Sequence, residues 1–434
     1  MRKLISLLLC LFIITAMFAF CCAEGDKITI TMMDYFTEEN ASNGDAEAIM
    51  YRMIVNKWLE NHPNVELVEE SVAHDVYETK VKTLAAANEL PDIFMALPTY
   101  MKSFYNNEQI LDLRPIIEAD EEWNARFPEG AMGDFEYGDV ILGASRVGIY
   151  NSLILYNSEI LAEVGYDAFP ATLEDFIECV KALKAAGYIP MACGNKGPYD
   201  LSSQKMPGLL FKYCNADWYA SVRNGDGAAF TDEDPVAAIT CLKELIDLGI
   251  FNEDMNAIDQ EQARQMFYEG KAAMVSEGSW IIKEFISETT DEVMDRTEFA
   301  IFPPLADKPE NADQIVGGQG WGHCLNSKLE GEKYDLCVDF IKTISDPEIQ
   351  AYAVEGGMFA VTKDAPYDES KLHPLYLKAL NMISRYGTVV GCPEVQLSAE
   401  YMDASYVGYQ ELSIGSVTPE ELAETLQDAQ ESAD

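Results

Sequence analysis

The 434-residue sequence is poor in positive charge. Thirty Lys and Arg stand against 74 Asp and Glu, for a formal net charge of −44. Such a surface repels phosphate backbones and anionic headgroups, so neither nucleic acid nor a membrane surface is expected as a partner. Solubility is the simpler meaning of the charge. With 48% hydrophobic residues the chain is no acidic disordered tail. Histidine is scarcer still. His62, His74, His323 and His373 are scattered, with no HExxH and no Cys/His cluster, which speaks against a zinc site. There is no GxxxxGK[ST] loop and no GxSxG elbow, and Gly317–Gly322 (GGQGWG) does not fit GxGxxG. Asn224-Gly225-Asp226-Gly227 imitates a calcium loop only at its start, since Ala and Phe follow. No catalytic residue, cofactor or metal is therefore expected. A glycosidase working through two carboxylates is the enzyme that so many acids leave open.

Long apolar runs are missing too, save one. Arg2-Lys3 precede LISLLLCLFIITAMFAF, and Cys21-Cys22-Ala23 close the stretch. A basic start, a short apolar run and small residues read as an export signal over 1–23, too short for a comfortable membrane span. Cleavage after Ala23 is the expected processing. Lipid attachment to Cys21 or Cys22 is the alternative, with Phe20 or Cys21 a poor residue to precede it. The expected location is extracellular or periplasmic, with or without a lipid anchor. Seven cysteines lie beyond this segment, at 179, 193, 214, 241, 324, 337 and 392. Their number is odd and no CxxC occurs, so a disulfide framework is not expected.

What is present is a strand–helix alternation. Lys27-Ile-Thr-Ile-Thr-Met alternates as a strand, Ala46–Asn61 has helical spacing, and Val65-Glu-Leu-Val is a second strand before a helix over 75–88. Leu90-Pro91-Asp92 leads into the buried run 93–96. This order is that of a parallel α/β sheet. Thr172, Asp346 and Thr418 precede helices as caps, and Asp234-Pro235 is expected to start another with Pro in its first position. Pro303-Pro304 and the glycines of 317–322 are expected to mark reversals. Open α/β sheets bind ligands beyond the carboxyl ends of their strands, which directs attention to loops 34–36, 97–100 and 276–280.

Those loops and their neighbours carry aromatics beside Gly, Asn or Asp: Tyr35-Phe36, Tyr100, Tyr150-Asn151, Tyr199, Trp280, Trp321 and Tyr401, among 22 Tyr and 5 Trp. A sugar ring offers an apolar face and a rim of hydroxyls, and asks for flat platforms with polar groups around them. Packing of loops onto the core is the competing use for each aromatic taken singly.

Several stretches resemble the carbohydrate-binding extracellular solute-binding proteins of ABC transporters, the family that includes maltose-binding protein. They are LPDIFMA (90–96), SLILYNSEILAEVGYDAFPATLEDFIECVKALKAAG (152–187), FYEGKAAMVSEGSW (267–280), GGQGWGHCLNSK (317–328), CVDFIKTISDPEIQ (337–350) and TPEELAETLQDAQ (418–430). The resemblance implies a two-lobe periplasmic-binding-protein-like fold, with a hinge and an interlobe ligand cleft. It places 24–148 plus 303–356 in one lobe and 149–302 plus 357–434 in the other. It implies a monomeric receptor that hands a sugar to a membrane permease. It also implies that Trp280 stacks on the sugar, with Tyr150, Tyr199 and Tyr401 from one lobe and Asp34, Thr99 and Tyr100 from the other, and the loop aromatic Tyr35 is a candidate beside them. Asn151, Gln319 and Trp321 complete the expected contacts. Gly278 is expected to allow a tight turn before Trp280. Tyr150 stands where the maltose binder has an acid, so maltose itself is not implied. The same fold holding a non-sugar solute, and a secreted glycoside hydrolase, are the alternatives.

Overall fold

The computed structural model describes residues 27–128 and 132–432, so the expected signal segment lies outside the described residues. The strands used below are β1 (Ile28–Asp34), β2 (Val65–Ser71), β3 (Ile93–Ala96), β4 (Ile149–Tyr150), β5 (Leu153–Asn157), β6 (Ile189–Ala192), β7 (Ala272–Glu277), β8 (Thr297–Ala300), β9 (Gln314–Gly318), β10 (Gly322–Leu325) and β11 (Thr388–Val390). One sheet has the order β10-β3-β1-β2, with β1 parallel to both β2 and β3 and β10 antiparallel to β3. The expected parallel start is thus present. A second sheet has the order β8-β5-β7-β6, and a third, β11-β9-β4, joins segments distant in sequence.

Helices cover these sheets for local reasons. Helix Ala46–Asn61 begins at Asp45, whose carboxylate accepts the Ala48 N–H, and its buried face carries Met50, Tyr51, Ile54 and Trp58. Trp58 is fully buried and its indole donates to the Leu336 carbonyl at 3.0 Å, so a large ring is buried with its polar atom satisfied. Thr172 caps helix Leu173–Ala185 through the Asp175 N–H, and Thr418 and Glu421 form a capping box. Asp346 caps a helix with Pro347 in its first turn. The helix expected to start at Asp234-Pro235 instead spans Glu233–Leu248, with Asp232 as its cap.

Apolar contacts divide the core between the sheets. One cluster gathers residues from Ile30 to Val147 with Cys324 to Val361. Two further clusters lie on the faces of the second sheet. The segment 303–313, expected in the first lobe, packs against the second. Lys308, Asn311 and Gln314 donate to the carbonyls of Tyr213, Lys212, Phe211 and Cys214 at the end of helix Met206–Tyr213. These are the acceptors that a helix terminus leaves without partners. The glycines expected to mark a reversal are partly strand. Gly317 and Gly318 pair with Tyr150 and Ile149. A Cβ on Gly318 would lie 2.1 Å from the Asp134 carboxylate, so close approach requires the glycine. Only Gly320, at φ 62°, turns the chain.

Candidate functional site

The third sheet is where the chain passes between the two packed bodies. Asn151 donates its N–H to Val316, Tyr150 pairs with Gly317, and the Gly148 N–H reaches Phe359. Ser152 sits between β4 and β5 with φ 58°, in the left-handed region that few residues but glycine enter readily. Asn151 and Gln319 are both 8% exposed and belong to this crossing. The Gln319 N–H donates to Asp134 at 2.5 Å and its carbonyl accepts from the Ser145 hydroxyl.

On the first body, an aromatic wall closes the ends of β1 and β2. Tyr35 lies edge-on to His74, Tyr77 and Trp321, with ring centres 4.7, 5.5 and 5.5 Å away. Trp321 also meets His74 at 5.8 Å and Tyr77 at 5.4 Å. Tyr35 and Trp321 are half-buried and His74 is exposed, so the wall keeps an open face. Tyr100 backs this wall, 6.1 Å from Trp321, but is itself buried against Phe104. Asp34 does not face outward either. Its carboxylate is fully buried and accepts from the Phe36 N–H at 2.6 Å, the Ser71 hydroxyl at 3.1 Å and the Tyr51 hydroxyl at 3.2 Å. Burial, with the Glu69 charge beside it, pushes its carboxyl up to about 7. Asp34 therefore positions the Tyr35-Phe36 turn from behind.

On the second body, β7 ends at Glu277 and the chain turns through Gly278 and Ser279 to Trp280, which opens helix Ile281–Glu288. Gly278 is not in the left-handed region. It is small because the Trp280 ring lies on it: a Cβ there would come within 2.1 Å of the indole. The expected tight turn is present, closed by the Ile281 N–H on the Gly278 carbonyl at 3.1 Å, and close packing under the indole is the reason it needs a glycine. Ser279 locks this loop to the crossing strand, since its N–H donates to the Tyr150 carbonyl at 2.7 Å and its hydroxyl accepts the Tyr150 N–H at 3.1 Å. Trp280 and Tyr150 are thereby neighbours, both half-buried, with Phe359 edge-on to Tyr150 at 5.0 Å.

Tyr199 follows β6 and is 41% exposed, with Tyr406 6.4 Å away. Tyr401 is not brought to the cleft. It is 3% exposed and stacks on Phe230 at 5.0 Å in the helical core, because that face of helix Ala399–Ser413 packs inward.

Buried charges hold these loops from below. Directly after Tyr199, a π-helical turn Asp200–Lys205 pairs its first and last residues at 2.5 Å, with both side chains essentially inaccessible. Lys205 also donates to the Ser276 carbonyl, and Asp200 accepts from the Gly194 N–H and the Gln260 amide. Arg264 joins Glu277 at 3.0 Å and Glu284 at 2.5 Å. Each end of the Trp280 loop is thus tied to a charged pair. Sequence reasoning missed this pedestal, as well as His74, Tyr406 and Glu394.

The two bodies touch across the opening between them. The Thr99 hydroxyl donates to the Glu394 carbonyl at 2.8 Å and lies 3.0 Å from that of Val395. The Glu394 carboxylate receives the hydroxyls of Ser203 and Tyr406, and Tyr406 packs on the first core. Burial pushes the Glu394 carboxyl up to about 7.

The family model of bacterial extracellular solute-binding proteins matches residues 40–366. The chain belongs to that family. Lipoprotein LipO of Bacillus subtilis (strain 168) is 24% identical over 273 residues, which span 58% of this chain and 51% of LipO. The chain thus spans about half the length of this curated relative. Among solved structures, a chitin oligosaccharide binding protein superposes with a TM-score of 0.83 at 23% identity, covering 94% of this chain and 99% of its own. A structure from work on xylan utilization by the thermophilic bacterium Caldanaerobius polysaccharolyticus gives 0.79 at 22% identity, over 92% and 99%. The GacH receptor of Streptomyces glaucescens, studied with acarbose, gives 0.73 at 17%, over 93% and 98%. These likenesses establish the two-lobe solute-binding fold expected from the sequence.

Proposed function

We propose that this family member is the solute receptor of an ABC importer, binding a sugar or oligosaccharide between its lobes and delivering it to a membrane permease. The observation that carries the reading is the half-buried aromatic set at the strand ends: Tyr35 and Trp321 on one lobe, Tyr150 and Trp280 on the other, and exposed Tyr199 at the side. Flat rings held rigidly with one face open suit the C–H faces of pyranose rings. The relatives studied with chitin oligosaccharide and acarbose support the same ligand class. Gln319 and Asn151, at the crossing, are proposed as polar neighbours of the sugar edge. Trp280 is the proposed principal platform.

The acids around these loops support binding over hydrolysis. Asp34, Asp200 and Glu394 are engaged by protein partners and Glu277 is paired with Arg264 through one oxygen, so each of these acids already serves the packing of a loop. No helix among the described residues is long and apolar enough to cross a membrane. Export is the location proposed, with cleavage after Ala23 or a lipid on Cys21 or Cys22 decided by the mass of the mature N-terminus.

A thermal-shift series with chitin, xylan and malto-oligosaccharides tests the reading, because a ligand that binds only the folded state raises the melting temperature by mass action. A rise with at least one oligosaccharide, without turnover of chromogenic glycosides, is expected. No shift with any sugar, or steady turnover, would overturn the proposal.

A further inference from the structure

Three residues beyond Trp280, on helix Ile281–Glu288, stands Lys283. Its side chain is 7% exposed and its ammonium lies 3.1 Å from Asp45 Oδ1 and 3.6 Å from Glu47 Oε1. Both acids belong to the opposite lobe, at the start of helix Ala46–Asn61. Glu47 in turn pairs with Arg146 at 2.9 Å. Arg146 covers the Phe36 ring at 4.1 Å, and Phe36 in turn packs against Tyr35 with ring centres 4.4 Å apart. A single ladder of contacts therefore runs from Tyr35 and Phe36 on one aromatic wall, through Arg146, Glu47 and Lys283, to within one helical turn of Trp280 on the other.

We propose that Lys283 is a positioning residue, an electrostatic latch that holds the lobes closed and brings Trp280 up to the solute. The proposal rests on the reading that solute binds between the lobes, and adds which residue couples closure to affinity. The acids are placed in advance. Asp45 caps the helix and Glu47 sits in its first turn, where the helix dipole favours negative charge whether or not Lys283 is near. Arg146 offsets one of the two charges and leaves an acidic site for a cation from the other lobe. The Lys283 ion pairs among the described residues are both with that lobe, while its neighbour Glu284 is taken by Arg264. Burial alone would raise the Glu47 carboxyl, yet Lys283 and Arg146 outweigh it and hold it at about 2. Glu47 is therefore charged at any pH near neutrality. Most of the ladder is shielded from water, so its attraction is screened less than that of a surface pair.

The test uses the oligosaccharide that raises the melting temperature most. Lys283→Met keeps the apolar stem and removes the charge. Its dissociation constant is expected to rise at least fivefold, within the usual range of coupling between sites, chiefly through faster release. Lys283→Arg should restore most of the affinity. Asp45→Asn, which can still cap the helix, should weaken binding in the same direction and show a non-additive double-mutant cycle with Lys283→Met.

Closure is read separately by energy transfer between labels on Val68→Cys and Leu377→Cys, exposed positions on the two lobes. Lys283→Met should be more open than the parent in low salt, and high salt should open the parent toward the variant. Should no sugar bind, the ligand-free label distances still decide the latch independently of the ligand. Equal distances in the parent and Lys283→Met at low salt overturn it, and so does unchanged affinity.

Discussion

The two lobes present aromatic rings by different means. On the first, Tyr35, His74, Tyr77 and Trp321 brace one another edge to face, so the wall is its own support. On the second, Trp280 lies on a bare glycine backbone, over a floor of buried ion pairs. A self-bracing wall ties presentation to the stability of the lobe. A ring on a charged pedestal can be removed with little loss of fold, whereas the pedestal cannot.

That contrast orders the expected effects. Lys205→Met should be the most damaging change, because it leaves Asp200 buried without its cation; breaking such a pair costs about 3–5 kcal/mol, visible in denaturant unfolding. Unfolding free energy within about 1 kcal/mol of the parent would mean that the pedestal carries nothing. Trp321→Ala should come next, destabilising the first lobe by roughly 3 kcal/mol as a large ring leaves its neighbours, and weakening sugar binding as well. If its melting temperature holds, the wall does not brace itself and the comparison collapses. Trp280→Ala should show the opposite balance, with affinity down about tenfold, or about 1.4 kcal/mol, and a melting curve close to the parent's. Gly278→Ala sharpens this, since the added methyl must displace the indole and should mimic Trp280→Ala in calorimetry without removing the ring.

The smallest effect is expected at Glu394, where the lobes meet. Its folded-state value of about 7 lies above the ordinary carboxyl range. Its contribution to stability is therefore fully present below the ordinary value and is lost as pH rises through about 7. Glu394→Gln should match the parent near pH 4 and melt about 2–4 °C higher near pH 8. Parallel curves across that range would show that the carboxyl stays ionised.

Much of the fold was legible because it is written in short-range signals. Helix Ala46–Asn61, the Thr172 and Thr418 caps and the apolar run of β7 follow from neighbours in sequence. Gly278 and Ser279 mark the end of the apolar strand, which is the local signal that sets Trp280 apart as a candidate platform. Asp34 and Tyr401 were misplaced because type and position say nothing about which way a side chain turns. The partners that draw Asp34 inward are Tyr51 and Ser71, and the ring that covers Tyr401 is Phe230, all remote in sequence. The Lys205 and Arg264 pedestal was illegible for the same reason, being assembled from three separate segments. The packing of 303–313 was illegible because the helix carbonyls that capture Lys308 and Asn311 lie about a hundred residues earlier.

All seven cysteines among the described residues are buried and unbridged, in both lobes. Among the described residues there is therefore no crosslink to form correctly and none to lose. The molecule's durability then depends on how rarely the lobes open, and these sulfurs are reached by oxidants only before the cores have packed. Rapid, close packing would thus do the work that oxidative pairing does for many secreted chains.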